Sequence, residues 1–220
     1  MHKVNIRRIL TGALATVLTA APRLAYALAI PAVVFVALSF VQTQEEITAP
    51  IFMLTGLITL TMHTIVAVTT HRIIILGPDS VSTWGLTRWS MRETQFLLYL
   101  LSMGFGVVML VSLGLILPQP VGIALAISIA IVVVSCVSLV FPSIAVEQPL
   151  TFKAAWDLAQ GNIFPLVVCV WLFPIAISLP VGALSMVAYT GPLVAILQLV
   201  ANALTIAALS LAYTEIKKTD

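Results

Sequence analysis

Long apolar runs separated by short polar interruptions recur along the whole chain. Runs long enough to cross the roughly 30 Å hydrocarbon core of a bilayer, about 20 residues each, occupy 24–41, 50–71, 94–117, 121–141, 163–184 and 192–213. The pattern predicts an all-α polytopic membrane protein with six transmembrane helices, in a single integral domain over residues 1–220. Ahead of the first run, Ile6, Ile9, Leu10, Ala13 and Val17 fall on one helical face, with Arg7 and Arg8 off that stripe. That spacing predicts an interfacial helix over 4–18. The same stretch has the outline of a secretory signal. Pro22 directly after the small residues Thr19–Ala21, and Arg23 leading into another apolar run, argue that it is retained.

The returning runs share a start signal. Pro50, Pro120 and Pro192 each fall where proline is tolerated, in the first helical turn, 70 and 72 residues apart. Twenty-two residues after each comes the exit from the apolar run, at Arg72, Pro142 and Thr214. Each outgoing run follows an amphipathic or membrane-lying segment: 4–18, 84–92 and 152–160. The chain therefore reads as three similar hairpins. Ser90-Met91-Arg92-Glu93 has the form of a capping box and should start the third span. Thr151 should cap a short helix from Phe152, ended by Gly161-Asn162, with Trp156 at headgroup depth.

Composition narrows the class. Apolar residues make up 61% of the chain and charged residues 8%, against about 45–50% and about 25% in soluble domains. With a mean hydropathy of +1.16, soluble, disordered and disulfide-scaffold classes are excluded. All ten basic residues fall on one side of the six runs: Lys3, Arg7, Arg8, Arg23, Arg72, Arg88, Arg92, Lys153, Lys217 and Lys218. The opposite loops hold Glu45 and Glu46 but no Lys or Arg. The positive-inside rule then puts both termini in the cytoplasm, with the protein in a bacterial inner (plasma) membrane as the resemblance below implies. Ten basic residues spread over four segments form no continuous patch, so no nucleic acid is expected.

Candidate chemistry is sparse. No nucleotide-loop, dinucleotide, zinc-protease or nucleophile-elbow motif is present, and no carboxylate falls mid-span. No enzyme, cofactor or metal is expected. Cys136 and Cys169 lie inside apolar runs and read as buried small residues. Two polar stripes stand out. Thr55, Thr59 and His63 recur every four residues on span two, with Thr70 returning to that side. Gln198, Asn202 and Thr205 form the other stripe, on span six. Polar side chains in hydrocarbon should face the bundle interior and bond helix to helix, with His63 bonded to a threonine. The rival reading is a polar path between spans two and six. Ser102, Gly106 and Gly114 on span three, and Ser128, Ser135 and Ser138 on span four, read as helix-packing contacts. On the basic side His71, Arg72, Trp84, Arg88, Trp89 and Arg92 cluster around one loop. Guanidinium groups with tryptophans suit anionic headgroups, so this loop is the expected interaction surface.

The run Val66–Gly77, with His71-Arg72 near its end, followed by Trp84 and Arg92-Glu93, resembles uncharacterised alphaproteobacterial six-helix inner-membrane proteins. The segments Phe141–Glu147, Ala154–Leu158 and Gly161-Asn162 are similar to the membrane domain joined to some bacterial glycerophosphodiester phosphodiesterases. The resemblance implies fold and location and transfers no catalytic residue. Beyond the last span only Glu215–Asp220 remain, which is too short for such a soluble domain. The function expected from these features is non-enzymatic action through membrane lipids, anionic ones in particular, or through a protein partner, in envelope maintenance. A small transporter or channel is the alternative.

Overall fold

The computed structural model describes residues 4–41, 48–85, 89–187 and 190–218, and all regular structure among them is helical. Five helices are long and apolar enough to cross a membrane, or six if one bent pair counts as a span. The expected class is therefore present at that level. Its borders differ from the simple six-run pattern in ways the prolines explain.

Helix α1 (Ile6–Thr19) is capped by Asn5, whose side chain accepts from Arg8 N. Helix α2 (Ala21–Ala27) follows at 69° and α3 (Ala29–Val41) after it, so the expected span 24–41 is broken at Leu28. Pro31 has no N–H with which to bond the Ala27 carbonyl, which loosens the ladder there. The apolar stripe expected on 4–18 is present, with Ile9, Ala13 and Val17 buried. It is covered by protein rather than left for the bilayer surface: Gly12 faces Leu211, Arg8 Nε lies 3.5 Å from Glu215, and Val4 N donates to Asn162 Oδ1 at 2.9 Å.

Helix α4 (Ala49–Leu76) carries Pro50 in its first turn, and Gly77 ends it at a φ of 95°. A 3₁₀ turn, Pro78–Ser80, and a turn at Trp84 and Gly85 follow. No membrane-lying helix spans the described part of 84–92; residues 86–88, and with them Arg88, lie outside the described residues. Helix α5 (Met91–Ile116) starts at the expected capping box, with Ser90 N donating to Glu93 Oε2 at 2.8 Å. Its partner α6 (Val121–Val137) continues after a two-residue turn into α7 (Val140–Ala145), so this span runs past 141 to Ala145. Every residue of α7 is buried.

Helix α8 (Phe152–Ala159) is capped by Thr151, which accepts from Ala154 N at 3.1 Å. Trp156 is partly buried, and Ala155 and Ala159 are the residues α8 buries fully. Span five comprises α9 (Ile163–Val167), a π-helical turn (Val168–Leu172) and α10 (Phe173–Leu184). Phe173 N bonds Val168 O, five residues back. Pro174 can neither donate to the carbonyl four residues before it nor fit against it, and a widened turn relieves both problems.

Helix α11 (Gly191–Lys217) is the hub, touching α1, α3, α4, α7, α8, α9 and α10. Buried Ala201, Ala203, Ala207, Ala208, Ser210 and Ala212 let neighbouring backbones approach it closely. The pairs α3/α4, α5/α6 and α10/α11 pack as hairpins. At the end of α5/α6 where the two helices are joined, the backbones touch: a Cβ on Gly122 would lie 2.2 Å from Gly114 O. Ser135 and Ser138 are buried where α6 packs on its neighbours, and the other small residues are looser. A Cβ on Gly106 would meet nothing within 4 Å, and Ser128, Ser135 and Ser138 donate to carbonyls three or four residues back. Ser102 borders an apolar groove with Gly106.

Candidate functional site

The two polar stripes face each other across open space. A cavity of about 450 Å³ lies between α3, α4 and α11, lined by Thr59 and His63 on one wall and Gln198 and Asn202 on the other. Ser39 and Ser185 add hydroxyls towards the mouth, at the end where α10 turns into α11, and Phe35, Leu38 and Leu199 supply apolar wall. The described lining holds no Asp, Glu, Lys or Arg.

The stripes do not bond to each other. Gln198 Nε2 donates to Asn202 Oδ1 at 3.1 Å, within α11, and reaches Ser178 Oγ on α10 at 3.4 Å. Thr205 donates to Ala201 O at 3.0 Å and Thr55 to Phe52 O at 3.0 Å, each on its own helix. The expected bond from His63 to a threonine is absent among the described residues. Its ring instead tilts against Phe35, with centroids 4.8 Å apart, and borders the cavity. Thr55 lies outside the cavity lining. Thr70, two turns beyond His63 on α4, also lies outside this lining; it is fully buried, and its hydroxyl has no partner.

A second cavity of about 280 Å³ continues on the other side of His63 and Asn202, which border both spaces. Thr205 belongs to this inner cavity, which also meets His71, Phe96 and Phe141. At its inner end His71 is 2% exposed, and its Nδ1 lies 2.7 Å from Ser210 Oγ, a bond that joins α4 to α11. The rings of His71 and Phe96 are 6.2 Å apart, and those of Phe96 and Phe141 4.8 Å apart.

The basic loop is built differently from the expected pair of free guanidinium forks. Arg72 Nε and Nη2 donate to Ser80 O, both at 3.2 Å, and Nη1 donates to Ala145 O and to Glu147 Oε1, both at 3.0 Å. Arg92 Nη1 meets the same Glu147 oxygen at 2.8 Å, while its Nε and Nη2 bond Glu93 Oε1 at 2.9 and 2.6 Å. Both guanidinium groups are therefore engaged by the protein itself. Trp84 and Trp89 remain exposed, Trp84 edge-on to Tyr26 and Trp89 donating to Thr94 Oγ1 at 2.9 Å. Arg23 straps the loop to α2 by donating to Pro78 O at 2.9 Å and Val81 O at 2.5 Å.

Sequence reasoning passed over Glu147, Ser210, Phe35, Ser39 and Arg23. Each acquires its role from a partner distant in the chain, and no local spacing advertises it. Among the described residues no group of three His, Cys, Asp or Glu could hold a metal ion. The chain matches no protein-family model, no curated protein and no solved structure.

Proposed function

We propose that this is a small transporter or channel of a bacterial inner membrane, with its path between spans two and six. Six spans arranged as three similar hairpins, with both termini cytoplasmic, complete this reading. It departs from the expectation of action through lipids or a partner, and one observation carries the choice. Thr59, His63, Gln198 and Asn202, from helices far apart in the chain, surround a cavity rather than hydrogen-bonding across it. Polar groups held in hydrocarbon without bonds across the space between α4 and α11 carry a desolvation cost that a polar solute or water would offset. The solute class that suits this lining is uncharged and hydrogen-bonding. An ion would need an opposite charge in a medium where unpaired charge is costly, and the described lining supplies none. The protein acts without catalysis, needing only to bind and release.

Swelling of proteoliposomes in graded uncharged polyols, from glycerol to xylitol, tests this. Uptake should exceed that of protein-free liposomes and fall in Asn202→Ala and Gln198→Leu proteins that retain their helicity. Equal swelling with and without protein would sink the transport reading.

The lipid- or partner-binding reading retains one support: Trp84 and Trp89 are exposed at the basic end of the fold, where interfacial aromatics suit headgroups. Binding to anionic vesicles that survives removal of both tryptophans would count against it.

A further inference from the structure

Three of the four helices that wall the inner cavity lead to one member each of the charged cluster just beyond it. On α4, Arg72 follows the cavity residue His71. On α5, Arg92 lies one turn before Phe96. Glu147 lies six residues past Phe141, just beyond the end of α7 at Ala145. Two layers therefore lie at the inner end: the rings of His71, Phe96 and Phe141, then the bridge Arg72–Glu147–Arg92.

The wiring of the second layer is unequal. Without Glu147, Arg72 would still hold Ser80 O and Ala145 O, and Arg92 would still hold Glu93 on its own helix. The bridge to Glu147 is the ion pair that ties α5 to another element among the described residues. At its opposite end α5 is pinned by the backbone contact between Gly114 and Gly122. At the bridged end α5 is otherwise held by ring contacts, Phe96 on Phe141 and Tyr99 on Phe152, each with centroids 4.8 Å apart, so Glu147 is its ionic tie. Glu147 itself sits at a left-handed φ of 62° with its side chain 63% exposed, so the tether is open to water.

Resting on the transport reading above, we propose that these two layers form the cytoplasmic gate of the path, with Glu147 as its release element and the inner end of α5 as the part that moves. Opening requires the carboxylate to leave both arginines, after which Phe96 can withdraw from Phe141 and expose the inner cavity. The gate therefore regulates access to the pocket at Thr205, separately from the outer cavity at Ser39.

Thiol labelling separates the gate from the reading it rests on. The native cysteines Cys136 and Cys169 are fully buried and supply the unlabelled baseline. A Thr205→Cys thiol, challenged with a membrane-impermeant maleimide from the cytoplasmic side of inside-out vesicles, should react slowly in the otherwise native chain. With Glu147→Gln it should react about tenfold faster, the change expected when a closed state loses one bridging ion pair. Glu147→Asp keeps the charge but shortens the reach, and should give an intermediate rate. A Ser39→Cys thiol, challenged from the outer side of right-side-out vesicles, should react readily whatever residue stands at 147. An unchanged Thr205→Cys rate in both Glu147 variants, with Ser39→Cys still reactive, would overturn the gate alone. An unreactive Ser39→Cys thiol would overturn the outer cavity, and the gate with it.

Discussion

Placing a methyl group on Gly122 tests the tightest helix contact in the fold. Its Cβ would stand 2.2 Å from Gly114 O and 2.6 Å from Leu117 Cβ, whereas ordinary contact begins at 3.4 Å. Both obstacles are backbone or the first side-chain atom, so no rotamer can yield. The joined ends of α5 and α6 would have to part by about 1 Å, losing dispersion contacts along the seam. Overpacking of this kind costs at its upper end about 3 kcal/mol. Alanine in place of a helical glycine returns up to about 1 kcal/mol, leaving a net loss of about 2 kcal/mol. Gly106 is the internal control: it lies on the partner helix α5, and a Cβ there would meet nothing within 4 Å. The difference between Gly122→Ala and Gly106→Ala therefore isolates the collision, about 3 kcal/mol. For a chain of this size that is about 6–12 °C in unfolding temperature. The buried thiols of Cys136 and Cys169 make a dye-based thermal assay in detergent direct, since they react only on unfolding. If Gly122→Ala unfolds within about 2 °C of Gly106→Ala, the backbone contact does not exist as described.

Three other substitutions probe the polar interior and the loop. Thr70→Val should leave stability unchanged or raise it by about 1 kcal/mol, because the buried hydroxyl has no partner to lose; a lower unfolding temperature would reveal a hidden one. Ser210→Ala should destabilise by about 1–2 kcal/mol, since it strips the buried His71 of its bond, and restoring the hydroxyl with Ser210→Thr should recover part of the loss in the same assay. Arg23→Gln should free the loop from α2 by weakening the strap to Pro78 and Val81, shifting Trp84 fluorescence and speeding proteolysis near 78–85; unchanged proteolysis would argue against the strap.

What could be read directly from the residues was whatever depends on near neighbours. The Ser90–Glu93 box and the Thr151 cap start α5 and α8 where the sequence places them, because a cap is decided within four residues. The stripes Thr59/His63 and Gln198/Asn202 were visible as faces for the same reason. What stripes meet across the bundle is a different matter. Periodicity says that polar groups turn inward but carries no information on the gap between helices, so a hydrogen-bonded seam and a cavity read alike. Proline effects were legible only in part. Pro31 and Pro174 were visible, yet whether a proline breaks, bends or widens a membrane helix depends on what takes up the freed carbonyl. At Ala27 the neighbour is Gly85, from another part of the chain, whose φ of 66° and missing Cβ permit a close approach: a Cβ there would lie 1.9 Å from that oxygen.

The basic side shows why a count of charges misleads about a surface. Arginines at a membrane edge attract anions only while their donors are free, and each guanidinium has five donors to satisfy. Arg72 gives its donors to two backbone carbonyls and a carboxylate, and Arg92 gives its to two carboxylates. The acceptor they share, Glu147, follows a buried helix that ends at Ala145. It reaches them only because α7 brings that end beside α4 and α5. The positive-inside count is indifferent to this, since it weighs lysines and arginines and discounts Asp and Glu. The same cluster that looked in sequence like a docking surface is thus, in the fold, an ion-paired bridge that joins the ends of α4, α5 and α7. Its carboxylate, rather than its arginines, is the exposed member.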